Sequence, residues 1–403
     1  MSDRYNHSNE DHDHSEIGRR KFIAAGLGAA AAAPLLIGNA DAQVQPQSAG
    51  SAVGAGPYPT RAWGVTAAAG KFAPMTIQRR ALGANDVLLD ILYAGICHSD
   101  VHTARGDWGA PGLPCVPGRE IVGRVVAVGR DVTKFRVGDY GGVGCMVDSC
   151  GTCENCLADR EQICVNGTTF TYDSPDKASG GHTFGGYSER IAVTEKFVIR
   201  IPPGMNLKAT APILCAGVTT FSPIRHWEVK PSQRVAVVGL GGLGHMAVKL
   251  AVAQRAEVTV LTTTQGKIAA ARAMGANAAY VWQDAQARPE LRNRFDLMIS
   301  TVPYAFEAEP FMQMLKLDST FVNVGLGEAR GINPAAMAFG RKSLAGSMIG
   351  GIAETQEVID HCFARNIYPD VEVIRPDQID AAYQRVIGKD VRFRFVIDFT
   401  PPK

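Results

Sequence analysis

The sequence predicts an α/β protein of two domains, a small β-barrel-like domain joined to a doubly wound parallel sheet. Three observations carry this. At 403 residues the chain is too long for one ordinary core. From Ala62 to Ile201 short alternating β runs follow one another between glycines. After Pro202-Pro203-Gly204 the texture changes to apolar strands alternating with helix-like segments, the pattern of a doubly wound sheet. Apolar content is 46% and charged content 20%, ordinary for a globular enzyme. The net charge of +2 comes without any Lys/Arg cluster interleaved with aromatics, which excludes nucleic acid as a partner.

The first residues stand apart from this fold. Residues 1–16 are polar and include His7, His12 and His14, which read as part of a solvated leader. Then Arg19-Arg20 precede a weakly apolar run to Gly38 and an Ala40-Asp41-Ala42 end, the layout of a twin-arginine export signal over residues 1–42. The run is too short and too alanine-rich for a stable membrane span. A periplasmic protein handled by the twin-arginine machinery is therefore expected. Residues 43–61 read as a linker without hydrophobic period.

Within residues 62–212, strands are expected at Val87 to Tyr93, Ile121 to Val128 and Tyr187 to Val193. Residues 213–348 form the expected nucleotide-binding domain. Its strands lie at Arg234 to Gly239, Glu257 to Thr262, Phe295 to Val302 and Thr320 to Gly325, with a helix at Met246 to Ala253. The turn Gly239-Leu240-Gly241-Gly242-Leu243-Gly244 follows a strand and opens a helix. That context turns a weak G-x-G-x-x-G match into a dinucleotide site, with backbone N–H groups facing a pyrophosphate. Residues 349–403 are expected to return to the first domain, ending on a strand from Arg392 to Ile397.

Cysteines mark the chemistry. Cys150, Cys153, Cys156 and Cys164 read C-x2-C-x2-C-x7-C, four soft ligands in fifteen residues. Two disulfides would strain so tight a loop, and an iron–sulfur cluster usually leaves other traces. A closed tetrahedral zinc is the better reading, structural because it leaves no open position. Cys97 ends a strand, and Cys215 stands alone before a helix-like segment. Cys115, Cys145 and Cys362 read as buried packing.

Six stretches carry a resemblance over about Gly64 to Phe399. They are G-I-C-H-S-D-V-H, V-P-G-R-E-I-V-G, G-V-G-C-M-V-D-S-C-G-T-C-E-N-C, L-C-A-G-V-T-T-F-S-P, G-L-G-G-L-G-H-M and G-S-M-I-G-G. The chain resembles the zinc-dependent medium-chain alcohol dehydrogenases, in the branch of the cinnamyl-alcohol dehydrogenases and bacterial aldehyde reductases. The resemblance implies a GroES-like β-barrel catalytic domain, discontinuous in sequence, plus a Rossmann domain. It also implies hydride transfer between NADP(H) and primary, aromatic or allylic, alcohols, in a homodimer. Cys97 and Cys215 match catalytic zinc thiolates and Glu120 the carboxylate that approaches that metal. Ser99 matches the substrate-bonding hydroxyl, His102 the end of its proton relay, and His98 lies near the pyrophosphate. Thr219, Thr301, Gly325, Ser347, Met348 and Ile349 match nucleotide contacts, whereas Trp108 and Phe170 are candidate walls of an aryl pocket.

Two further readings come from the residues themselves. Thr262-Thr263-Thr264-Gln265-Gly266-Lys267 offers three hydroxyls and a cation but no carboxylate. That favours a 2′-phosphate, hence NADP(H), over the ribose 2′-hydroxyl of NAD. And Arg119 stands where the resemblance implies a zinc-ligating histidine. Guanidinium cannot ligate zinc, and a cation 4 Å from a divalent ion is repelled by about 8 kcal/mol at an effective dielectric near 20. Glu120 becomes the third ligand, or His98 or His102 substitutes, or Arg119 pairs with the thiolates and the catalytic zinc is absent. The last case would suit a zinc-less quinone or enone reductase, or a catalytically silent exported nucleotide-binding protein.

Overall fold

The computed structural model describes residues 56–388, 390–391 and 393–401. The export signal, with Arg19, Arg20 and the early histidines, lies outside the described residues. Strand structure begins at Tyr58–Gly64, four residues inside the segment that composition marks as linker. Its alternate residues Tyr58, Thr60 and Ala62 are buried, and it pairs antiparallel with Ala73–Arg79. The period-2 burial overrides the Pro-rich composition there.

The catalytic domain is built on a seven-stranded sheet. Its central strand, Asp86–Gly95, is apolar on both faces and pairs antiparallel with Ile121–Val128, Arg190–Thr194 and, near its end, Arg394–Asp398. The strand expected at Tyr187 begins only at Arg190. Tyr187 instead donates its N–H to Pro117 O and its hydroxyl to Asp100, and so lies outside the ladder.

The nucleotide domain carries six parallel strands. Across the sheet they run Ala278–Val281, Glu257–Thr262, Arg234–Val238, Phe295–Ser300, Leu315–Asn323 and Ser343–Gly346. Numbered along this domain, that order is 3-2-1-4-5-6, the dinucleotide-binding arrangement, with its crevice where the order reverses. The reversal falls between Arg234–Val238 and Phe295–Ser300, and there Thr301 N–H donates to Val238 O at 2.9 Å. The glycine turn leads straight into the helix Gly244–Ala253. A Cβ on Gly244 would sit 2.1 Å from Gly239 O, so this close helix–strand approach admits no side chain.

After residue 349 the chain touches both domains before rejoining the catalytic sheet: Gln356 accepts from Arg200 N and donates to Arg200 O. In the helix Ile352–Ala364, Val358, Ile359 and Cys362 are buried in one cluster with Val235, Val237 and Met246 of the nucleotide domain. Val371–Ile374 and Arg394–Asp398 then pair with each other and complete the catalytic sheet. Among the described residues no helix is long and apolar enough to cross a membrane.

Candidate active site

The central strand of the catalytic sheet stops at Gly95, and Cys97 caps the short helix His98–Arg105 that follows. Asp100, on the first turn of that helix, is fully buried. It accepts the Cys97 N–H at 2.7 Å, the Gly118 N–H at 3.3 Å and the Tyr187 hydroxyl at 3.1 Å. One carboxyl thus fixes the spacing between the Cys97 turn and the Gly118-Arg119-Glu120 segment. Burial pushes that carboxyl up to about 6. Cys215 caps a third element, the helix Ala216–His226.

These turns bring Cys97, Glu120 and Cys215 together, with one ligand atom of each inside a 4.8 Å cluster. The two sulfurs are 3.9 Å apart. Glu120 is 0% exposed, and neither of its oxygens accepts a hydrogen bond. Gly95 makes room for it, since a Cβ there would lie 1.9 Å from Glu120 Oε2. Its one ion-pair partner among the described residues is Arg394, 4% exposed, whose Nη2 lies 3.4 Å from Oε1. Burial pushes the Glu120 carboxyl well above its usual range, and Arg394 offsets only part of that. A hydrogen bond from the Cys215 thiol holds the Cys97 thiol well below its usual value, helped by the charges of Arg119 and Arg394.

Arg119 points inward. Its Nη2 donates to Ser99 Oγ and lies 3.8 Å from Cys97 Sγ. Its Nε is buried without a partner. Neither His98 nor His102 joins the thiol cluster: His102 pairs through Nδ1 with Asp107 Oδ2 at 2.9 Å and stacks on Trp108.

A cleft of about 1020 Å³ joins this cluster to the nucleotide domain. Most of the expected residues face it. On the catalytic side these are Cys97, His98, Ser99, His102, Trp108, Arg119, Phe170 and Cys215. On the other side they are Thr219, Gly239 to Leu243, Thr262, Thr263, Lys267, Thr301, Gly325, Met348 and Ile349. Trp108 is a rim residue, 57% exposed, and not a buried wall. Glu120, Gly244, Thr264 and Ser347 do not line it. Glu120 lies behind the thiols, Gly244 is buried in its helix, Thr264 is exposed, and the Ser347 N–H is tied to Asn323 O.

Two residues escaped the sequence reading. Cys145, read as packing, lines the cleft, and a hydrogen bond with Cys215 lowers its thiol. Arg394 was legible only as one of two arginines on an alternating strand; its inward position was the missed signal. Cys115 and Cys362 are buried packing as expected, each pushed up to about 12 by burial.

The second cluster lies at Cys150, Cys153, Cys156 and Cys164, all free thiols. Cys150 Sγ and Cys156 Sγ are 3.9 Å apart, as are Cys153 Sγ and Cys164 Sγ. A tetrahedron with Zn–S near 2.3 Å sets its sulfurs about 3.8 Å apart. Backbone N–H groups of Cys150 and Cys153 point at sulfurs 3.5 and 3.4 Å away, as thiolates favour. The donor set fits a closed zinc site. The Cys97, Glu120 and Cys215 set fits an open one, since a buried carboxylate whose oxygens accept no hydrogen bond, beside two thiols, is what a divalent cation satisfies.

Residues 83–203 match the family model described as alcohol dehydrogenase GroES-like domain, and residues 242–364 that described as zinc-binding dehydrogenase. A curated relative, NADP-dependent alcohol dehydrogenase C 1 of Mycolicibacterium smegmatis, is 49% identical over 84% of this chain and 97% of its own. The chain belongs to the zinc-dependent medium-chain alcohol dehydrogenases. The aldehyde reductase YahK of Escherichia coli is 47% identical over 84% of this chain and 97% of its own. Among solved structures, the CAD of Helicobacter pylori complexed with NADP(H) is similar at a TM-score of 0.80. It is 38% identical, over 84% of this chain and 98% of its own.

Replacing Cys153 with serine should remove about one zinc per chain and lower the melting temperature by several degrees, because structural zinc contributes folding energy directly. Metal analysis and thermal denaturation check this; an unchanged melting temperature would contradict the assignment.

Proposed function

We propose that the protein interconverts primary, aromatic or allylic, alcohols and aldehydes with NADP(H), in the periplasm. One observation carries the chemistry: a single cleft joins the Cys97, Cys215 and Ser99 cluster to a glycine turn and to Thr262, Thr263 and Lys267. The relatives named for NADP-dependent alcohol oxidation and aldehyde reduction support the reading. Phe170, with Trp108 at the rim, supports an aryl substrate. The paired arginines at 19 and 20 and the Ala40-Asp41-Ala42 end support export. A homodimer accords with the family resemblance.

Cys97, Cys215 and Glu120 would hold the catalytic zinc, which supplies Lewis acidity toward the substrate oxygen. The nicotinamide supplies or accepts the hydride. The chain's own residues do the rest. Asp100 holds the Cys97 turn against the Arg119 segment. Ser99 presents a hydroxyl to the substrate oxygen, and His102, at the cleft mouth, can pass a proton to water. Gly239 to Leu243 would seat a pyrophosphate on backbone N–H groups, and Lys267, on the same cleft, would supply the cation for a 2′-phosphate. A zinc-less enone reductase would draw support from the Arg119 contact with Cys97, but gives no role to the orphaned Glu120 carboxylate.

NADPH should bind at least about tenfold tighter than NADH, and Lys267→Glu should narrow or reverse that gap, one charge-assisted contact being worth about 1.5–3 kcal/mol. Fluorescence titration checks it, and equal dissociation constants in the parent protein would contradict NADP(H) preference. Changing Arg19 and Arg20 to lysine should leave the protein in the cytoplasm on fractionation. Undiminished arrival in the periplasm would exclude the twin-arginine route.

A further inference from the structure

We propose that Arg119 is a catalytic residue that binds the substrate oxygen directly, its guanidinium and the Ser99 hydroxyl forming a donor pair beside the metal site. The proposal rests on the reductase reading above and adds a role that a ligand histidine at this position would not fill. The observations are geometric. Arg119 lines the cleft together with Cys97, Ser99 and Cys215. It carries five N–H donors. Its hydrogen-bond contacts among the described residues all leave from one nitrogen, Nη2, toward Ser99 Oγ and Cys97 Sγ. Nε is buried and unpartnered, so the guanidinium is under-used by the protein around it.

Guanidinium can only donate, so the Ser99 oxygen accepts from Arg119, and Cys97 Sγ lies 3.6 Å from the same oxygen. The guanidinium and the Ser99 hydroxyl thus stand side by side on the cleft wall. A carbonyl oxygen gains negative charge as hydride arrives, and preorganised donors act most strongly on such developing charge. Arg119 also neutralises the Cys97 side of the cluster, as Arg394 does the Glu120 side.

The step balances as follows. The carbonyl carbon takes hydride from the reduced nicotinamide, the C=O π pair moves onto oxygen, and Arg119 N–H holds the oxyanion. The oxygen then takes the Ser99 proton, which Ser99 regains from solvent. Aldehyde, reduced nucleotide and one proton become alcohol and oxidised nucleotide. Arg119 stays protonated throughout, since its charge is not lost in proteins.

The test uses the mature protein with NADPH, benzaldehyde as substrate, and benzoate and benzamide as probes. Arg119→Met should lower kcat for benzaldehyde reduction by about 10²–10³-fold, with zinc content and NADPH affinity unchanged. Arg119→Lys, a charge without the fork, should recover part of the loss. Benzoate should bind the parent NADPH complex about tenfold tighter than benzamide, as a charge-assisted hydrogen bond implies. That preference should vanish in Arg119→Met. A kcat within a few-fold of the parent in Arg119→Met would overturn the proposal. So would loss of zinc in step with activity, which would place Arg119 in the metal site's support. Equal binding of benzoate and benzamide to the parent would overturn it too, even should the methionine variant not fold. A parent that reduces no aldehyde with NADPH while binding it would overturn the reductase reading, and the proposal with it.

Discussion

The buried pair of Arg394 and Glu120 is the constraint on which the site depends. Arg394 comes from the last strand and Glu120 from the residue before Ile121–Val128; both are buried, 3.4 Å apart. The same guanidinium donates to Ile96 O, beside Cys97, and packs where a Cβ on Gly242 would sit. One side chain thus ties the closing strand to the thiol turn, to the carboxylate and to the nucleotide loop. Removing one partner of a buried pair leaves an uncompensated charge, a loss of about 3–5 kcal/mol. Such a pair is poor insulation against mutation, but it gives the two domains a shared register.

Around it the site is a small problem in charge. Cys97 is held toward its thiolate and Arg394 and Arg119 are the cations; burial pushes the Glu120 carboxyl up against the pull of Arg394, and a bound divalent ion would hold it ionised, with Cys215 held up by its neighbouring thiols Cys145 and Cys97. A divalent ion would bring Cys215 into its thiolate form, since a coordinating thiol is deprotonated outright. The set then carries one net positive charge, which favours an anionic oxygen in the cleft. Arg119 therefore need not exclude zinc. Its repulsion toward the ion is spread over thiolates and a carboxylate that lie nearer the metal, and its donors remain available to substrate.

Much of this was readable from residues alone. Four of the six parallel strands, the glycine turn and the four-cysteine lobe follow from local period and spacing, and the structure places each close to its expected position; Ala278–Val281 and Ser343–Gly346 are short strands that their neighbours in the sheet define. Where the reading slipped, the cause was long-range. Tyr58–Gly64 looks like linker until its partner Ala73–Arg79 is present. Tyr187 reads as strand, yet its hydroxyl is taken by Asp100, a residue far away in sequence. The helix Ile352–Ala364 packs on Ala216–His226, with His361 against Phe221 and Val358 beside Gly217, which no local pattern reveals. Cys145 and Arg394 were passed over for the same reason: a lone thiol and an alternating arginine mean nothing until the fold brings both to Cys97. Arg119 was visible as an anomaly, but its orientation toward Ser99 was not.

Zinc content is the most direct test of the claim that Glu120 completes a working metal site despite Arg119. The account predicts about two zinc ions per chain in the parent and about one in Glu120→Ala, with the four-cysteine site intact in both. One zinc in the parent, unchanged by removing Glu120, would contradict it.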